Sequence, residues 1–238
     1  MATYLQLCTR MATRSGIIGA APAAVTGQTG RQAKCVDWIM HANELIQNMH
    51  TDWSFLHGEI SAVALTVNDM SYSGSDLGIS TRFGAFKGDR PHPILGTYRP
   101  WTIYDNSIGV SDEVALSEIS YEQWREQYDR GSHDASRPVC YALAPDQSIR
   151  FGPKPDLAYR VRGEYRKAPQ VLAANSDEPD FPSRFHDIVV WRAIILAHEH
   201  DEHIPSIQMV EREYLRLLND MQRDLLPEIS AYGGAPLA

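Results

Sequence analysis

Phe185-His186-Asp187-Ile188-Val189-Val190-Trp191-Arg192-Ala193-Ile194-Ile195-Leu196-Ala197 is apolar on nearly every face. A helix of that kind must be covered on several sides at once, which places it inside a bundle. Its apolar run is shorter than the roughly 20 residues a bilayer requires, so no membrane partner is expected. A polar run, His198–His203, and then Pro205-Ser206 interrupt the pattern. Beyond them Ile207, Val210, Tyr214, Leu217, Leu218, Met221 and Leu225 recur at helical spacing, with Glu211, Arg212, Arg216, Asp220 and Arg223 on other faces. A short polar link predicts antiparallel neighbours. This hairpin, within Pro182–Pro227, is the spine of the expected fold.

Working outward, the N-terminus supplies two more helices. Thr3-Tyr4-Leu5-Gln6 reads as a capping box, with Leu7, Cys8 and Met11 on the apolar side and Gly16 as the stop. A charge-free loop of small residues runs to Thr29. Thr29-Gly30-Arg31-Gln32 repeats the capping pattern and opens a helix with the seam Cys35, Ile39, Ala42, Ile46, Met49 and Trp53, ending at Gly58.

The middle of the chain reads differently. Ile60–Val67 is β-prone, Asn68–Ser80 is a turn region, and Gly84–Gly96 is broken by glycine and proline into a projecting loop. Tyr98–Tyr104 is a strand with Pro100 at an edge or bulge. Ser120-Tyr121-Glu122-Gln123 caps a short helix through Tyr128, and Pro138–Leu143 with Ser148–Phe151 forms a hairpin about Pro145-Asp146. Strict alternation marks 157–165 as a strand, and Asn175–Asp180 is an acidic loop. The predicted fold class is α+β: a helical bundle from 1–58 and 182–227, a β-rich insertion at 59–181, and an extended tail at 228–238.

The 238 residues carry a formal net charge of −8, which argues against a sequence-independent nucleic-acid binder because clustered Lys and Arg are needed to neutralise phosphates. Cys8, Cys35 and Cys140 are odd in number and lack CxxC spacing, so neither a disulfide framework nor a zinc knuckle is expected. The N-terminus lacks a signal-peptide pattern, which predicts assembly in a cytoplasm-like compartment.

His198-Glu199-His200-Asp201-Glu202-His203 offers six consecutive potential metal ligands. Helical metal signatures place two histidines four apart, whereas these are spaced by two, three and five, as a solvated turn allows. A metal-dependent hydrolase using His198, His200 and His203 is therefore the lesser alternative. No phosphate-binding glycine loop and no GxSxG elbow occurs, and Asp177, Glu178 and Asp180 lack the order of a calcium loop. The expectation is a protein that is not an enzyme, with no catalytic, cofactor or metal residues. Tyr98, Trp101, Tyr104, Tyr121, Trp124, Tyr128, Tyr141, Tyr159 and Tyr165 read first as β-core packing. Some of them, with Arg82, Arg90 and Arg99, are also candidates to face a partner.

A succession of short motifs runs the length of the chain. It begins with Tyr4-Leu5-x-Leu7-Cys8, Val25-Thr26-Gly27-Gln28-Thr29-Gly30 and Val36-Asp37-Trp38-Ile39. Trp53-x-Phe55-x-x-Gly58-Glu59, Thr81-Arg82-Phe83-Gly84, Gly109-Val110-Ser111-Asp112-Glu113 and Arg137-Pro138-Val139 follow. Gly163-Glu164-Tyr165-x-x-x-Pro169, Phe181-Pro182-x-x-Phe185-His186, Glu211-x-x-Tyr214 and Leu226-Pro227 close it. In that order they resemble the head-to-tail adaptor proteins of tailed bacteriophages. The resemblance implies a structural virion protein at the head–tail interface: a homo-oligomeric, twelvefold ring that binds the portal, docks tail or nozzle proteins and lets DNA pass without specific binding. A connector at another level, such as a tail terminator or second ring, is the alternative within the same class. Acidic side chains facing a DNA channel would repel phosphates, and Glu211, Glu213 and Asp220 are the candidates if the last helix lines it.

Overall fold

The computed structural model describes residues 1–92, 96–200 and 207–227. It is mixed α+β and divides into two units, one made of Met1–Leu56 with the described residues from Pro169 onward, the other of His57–Ala168.

The helical unit contains α1 (Tyr4–Ser15), α2 (Gly30–Asn48), α4 (Asp187–His200) and α5 (Ile207–Leu225). As its all-round apolarity requires, α4 touches α1, α2 and α5, and Ile188, Val189, Val190, Ala193, Ile194 and Ala197 are fully buried. From α2, Cys35, Ile39, Ala42 and Ile46 enter the same core; from α5 come Val210, Tyr214, Leu218 and Met221. Arg184 pairs with Asp224, and the Arg192 guanidinium sits 6.0 Å over the Tyr214 ring. Partners that separate in opposite directions along the sequence make α4 and α5 antiparallel. Their link, and with it the polar residues Asp201–His203, lies outside the described residues, as does the tail at 228–238.

Local signals set the helix ends unevenly. At α1 the capping box forms: Thr3 Oγ1 accepts from Gln6 N, and Gln6 Oε1 accepts from Thr3 N. Gly16 closes the helix with φ 68°, a left-handed conformation that costs glycine little. Thr29 does precede α2, but its side chain makes no capping bond. Gln32 is instead drawn to the preceding loop, where its Nε2 donates to Ala20 O at 3.1 Å. α2 also stops at Asn48, short of the expected Gly58. Trp53 is still buried, because its indole N–H reaches back to the Ile46 carbonyl at the end of that helix, 3.1 Å away.

The helical unit takes in more of the chain than the pattern suggested. Residues 169–181, expected in the β-rich insertion, join it. Gln47 is the reason: its Oε1 accepts from Gln170 N at 2.8 Å, while Gln47 and Asn43 both donate to Gln170 O. Further on, Asp177 O accepts from Tyr4 N at 2.7 Å. His186, 1% exposed, ties the segment's end to the N-terminus. Its Nδ1 accepts from Ala2 N at 3.1 Å and its Nε2–H donates to Phe181 O at 3.0 Å, so one neutral tautomer satisfies both.

The strand-rich unit holds β1 (His57–Ala64), β2 (Ser71–Tyr72), β3 (Phe83–Phe86), β4 (Arg90–His92), β5 (Gly96–Tyr98), β6 (Thr102–Tyr104), β7 (Val114–Ala115), β8 (Ser117–Glu118), the short α3 (Tyr121–Trp124), β9 (Cys140–Leu143), β10 (Ile149–Gly152) and β11 (Arg160–Lys167). β11 is the centre of the first sheet. One side pairs with β1; the other pairs with β6 along its first half and β3 along its second. β7 is the outer strand next to β6. The second sheet has the order β2-β10-β9-β8, and β4 and β5 pair with each other as a third, two-stranded sheet. Gly84–Gly96 is thus not a plain loop: among its described residues Phe86 ends β3, Arg90–His92 form β4, and Gly96 opens β5, with Pro91 on the exposed two-stranded pair where a missing donor costs least. Likewise Tyr98–Tyr104 is two strands, broken where Pro100 cannot donate.

Both larger sheets feed one apolar core around Trp101, which is fully buried. Its ring lies 5.4 Å from Phe86, 5.9 Å from Tyr141 and 5.9 Å from Phe151. Gly163 on β11 permits this, since a Cβ there would run into the Trp101 ring.

Candidate functional site

Polar side chains converge where the β4–β5 hairpin meets β11. Asp89, just before β4, clamps the base. Its Oδ1 accepts from Tyr141 Oη at 2.8 Å and its Oδ2 from Glu118 N at 3.3 Å, with Arg99 Nε 3.7 Å away. Glu118 answers by accepting from Asp89 N at 2.5 Å. Gly88 leaves the room that the Glu118 carboxylate occupies. Burial first, and then the bond to Asp89, push the Tyr141 hydroxyl well above its ordinary pKa. Trp101 Nε1 donates to Lys87 O at 2.9 Å, so the core and the hairpin base share an anchor.

Further up, the Tyr98 hydroxyl donates to Glu164 Oε1 on β11. That bond, more than its burial, raises the Tyr98 pKa to about 12. The Arg90 guanidinium lies 4.7 Å over the Tyr98 ring and 3.9 Å from Glu164 Oε2. Glu164 Oε2 is buried without a hydrogen bond, with the Arg90 guanidinium and His57 Nδ1, the latter at 3.7 Å, beside it. Lys87 Nζ lies 3.0 Å from the same His57 nitrogen. None of this resembles a nucleophile–base pair; it is an arrangement that fastens one element to another.

The residues singled out in the sequence are scattered rather than gathered. Arg82, at φ 55°, donates Nε and Nη2 to Ala168 O at 3.0 and 2.8 Å, so it closes the unit on itself. Arg90 and Arg99 serve the hairpin. Trp101, Tyr104, Trp124, Tyr141 and Tyr159 are core residues, while Tyr98, Tyr121, Tyr128 and Tyr165 are half-buried.

His198, Glu199 and His200 belong to the last turns of α4 instead of a turn, with Glu199 3.7 Å from Arg192 and the His200 ring 6.0 Å from Trp38. His203 lies outside the described residues. Among the described residues, no three His, Cys, Asp or Glu side chains are grouped to hold a metal ion. On α5, Glu211 is exposed, whereas Glu213 and Asp220 flank Arg216 at 3.0 and 3.6 Å. No helix among the described residues is long and apolar enough to cross a membrane.

Cavities are modest. One of about 400 Å³ is lined by Phe55, Phe181 and Leu225, and one of about 240 Å³ by Glu59, Ile60, Leu77 and Ile79. The Glu164 cluster was missed in the sequence because its members come from four separate strands. Gly88 and Gly163 mark close approaches next to it, of Glu118 and Trp101 respectively.

The class these features define is an α+β protein whose polar clusters are built for fastening. The family model described as SU10 adaptor protein matches residues 2–235, and the chain belongs to that family of phage adaptor proteins. The resemblance drawn from the motif succession is thus borne out at the level of the family. A search of the curated proteins finds no match.

Proposed function

We propose that this phage adaptor, a structural protein, assembles as a twelvefold homo-oligomeric ring between portal and tail in the virion, with DNA passing through its channel. The family match across residues 2–235 carries this reading. In this assignment the helical unit builds the ring wall and the strand-rich unit reaches toward tail or nozzle proteins.

Charge supports the same reading. The net charge of −8 disfavours retention of DNA by such a ring. The outer side of α5 also exposes Met209 (46%) and Leu215 (54%) among charged residues, a mixed surface of the kind that rims and cores of protein contacts share.

The test is electron microscopy of the full chain mixed with purified portal or with capsid protein. Rings seated on the portal, and absent from capsid protein alone, are the expected result. Binding to capsid protein or free tails but not to portal overturns the assignment. A monomeric free protein is compatible with it, because assembly on a template is governed by mass action.

A further inference from the structure

We propose that Cys8, Met11 and Cys35 form a binding site for one soft monovalent metal ion, copper(I), where α1 packs on α2. The inference stands apart from the ring assignment and holds whatever the protein assembles with.

Three observations carry it. First, helical spacing and the contact between the helices bring three sulfur atoms to one place. Cys8 and Met11 are three positions apart on α1, so they share a face, and Cys35 comes from α2. Cys35 Sγ lies 3.7 Å from Met11 Sδ and 3.6 Å from Cys8 O, and the Cys8 thiol hydrogen-bonds the Cys35 sulfur. An ion bonded to sulfur at about 2.3 Å keeps its sulfurs roughly 3.8–4.0 Å apart in a tetrahedral or trigonal array. The spacing of Cys35 and Met11 is already close to that.

Second, the donors are all soft. Thiolate and thioether sulfur select copper(I), whereas carboxylate and carbonyl oxygen suit harder ions. Zinc in a closed site takes four ligands drawn from Cys, His and carboxylate. Among the described residues no three such side chains are grouped, so the two cysteines lack the further ligands zinc needs.

Third, the site is dry, with all three side chains fully buried. One thiolate with one copper(I) is neutral overall, which avoids the cost of an unpaired buried charge. Cys35 is the thiolate, because the bond from the Cys8 thiol holds its pKa down. Its proton leaves to solvent on binding, while Cys8 and Met11 ligate as neutral sulfurs. The ion enters when α1 parts from α2, a local opening that costs less than global unfolding.

Anaerobic titration of the reduced full chain with copper(I), against a competing chelator, tests this. One equivalent should bind, give a sulfur-to-copper absorption band in the near ultraviolet and raise the melting temperature, since the ion favours the folded chain. Met11→Leu should weaken binding by about tenfold or more through loss of one sulfur ligand. Cys35→Ala should abolish the saturable equivalent, and Cys140→Ala should leave it unchanged. Copper(I) that fails to bind the folded chain, affinity equal in wild type and Met11→Leu, or equal affinity for zinc overturns the proposal. If Cys35→Ala does not fold, Met11→Leu, a swap that conserves volume, decides alone.

Discussion

Arg14 Nη2 lies 2.7 Å from Asp187 Oδ2, joining positions 173 residues apart. Arg10 Nη1 reaches the other oxygen, Oδ1, at 2.5 Å, and the Arg14 guanidinium also covers the Trp191 ring at 4.6 Å. Asp187 opens α4, where a negative charge also suits the helix dipole. The first helix is thereby pinned to the start of the most buried one. The three side chains are 31% to 42% exposed, so solvent screening keeps the energy small. Asp187→Asn should lower stability by about 1 kcal/mol in denaturant titration.

The same site predicts a pH dependence. Partial burial works against the Asp187 carboxylate, but the Arg14 and Arg10 guanidiniums prevail and hold its pKa below the usual carboxylate range. A depressed native pKa means stability that is complete above about pH 4 and lost as pH falls through the native value. Asp112, bonded to Arg137, and Asp146, bonded to Ser148, are shifted the same way. Melting temperature should therefore drop on acidification below about pH 4. The drop should be shallower in Asp187→Asn, which has lost one of the responding groups.

Two threonines with the same local motif should respond differently. Thr3→Ala removes a hydroxyl that caps α1 and should cost about 1 kcal/mol. Thr29→Ala removes one that makes no capping bond, and a cost of a few tenths is expected. Chemical denaturation of the two variants measures the contrast.

Gly163→Ala should destabilise by about 1–3 kcal/mol, because the added methyl meets the rigid face of Trp101 with no flexible end to move aside. In the double variant with Trp101→Leu the two costs should sum to more than the measured total, since the clash is removed along with the ring. A full double-mutant cycle by denaturation reads the coupling directly.

Cys8, Cys35 and Cys140 are all buried, and burial above all raises the Cys140 thiol pKa. A thiol reagent should find almost no reactive group in the native protein and three after denaturation. Rapid native reaction at Cys8 or Cys35 would contradict the packing of α1 on α2.

What the sequence by itself determined is what repeats or caps within a few residues. The apolar α4, the stripe of α5, the boxes at Thr3 and Ser120 and the 140–152 hairpin are all visible in it, because helix and strand periods and turn chemistry are local. The ordered motifs also carried the family. Tertiary structure alone decided that Gln47 and Asn43 draw Gln170, and with it residues 169–181, to the helices. It alone decided that Thr29 leaves α2 uncapped and that strands form within Gly84–Gly96. It also brought Tyr98 and Arg90 to Glu164. The contacts to Gln170 and Glu164 join residues dozens to more than a hundred positions apart, and the Thr29 cap loses to a loop contact of Gln32 twelve positions back; no period or cap motif encodes which group will arrive.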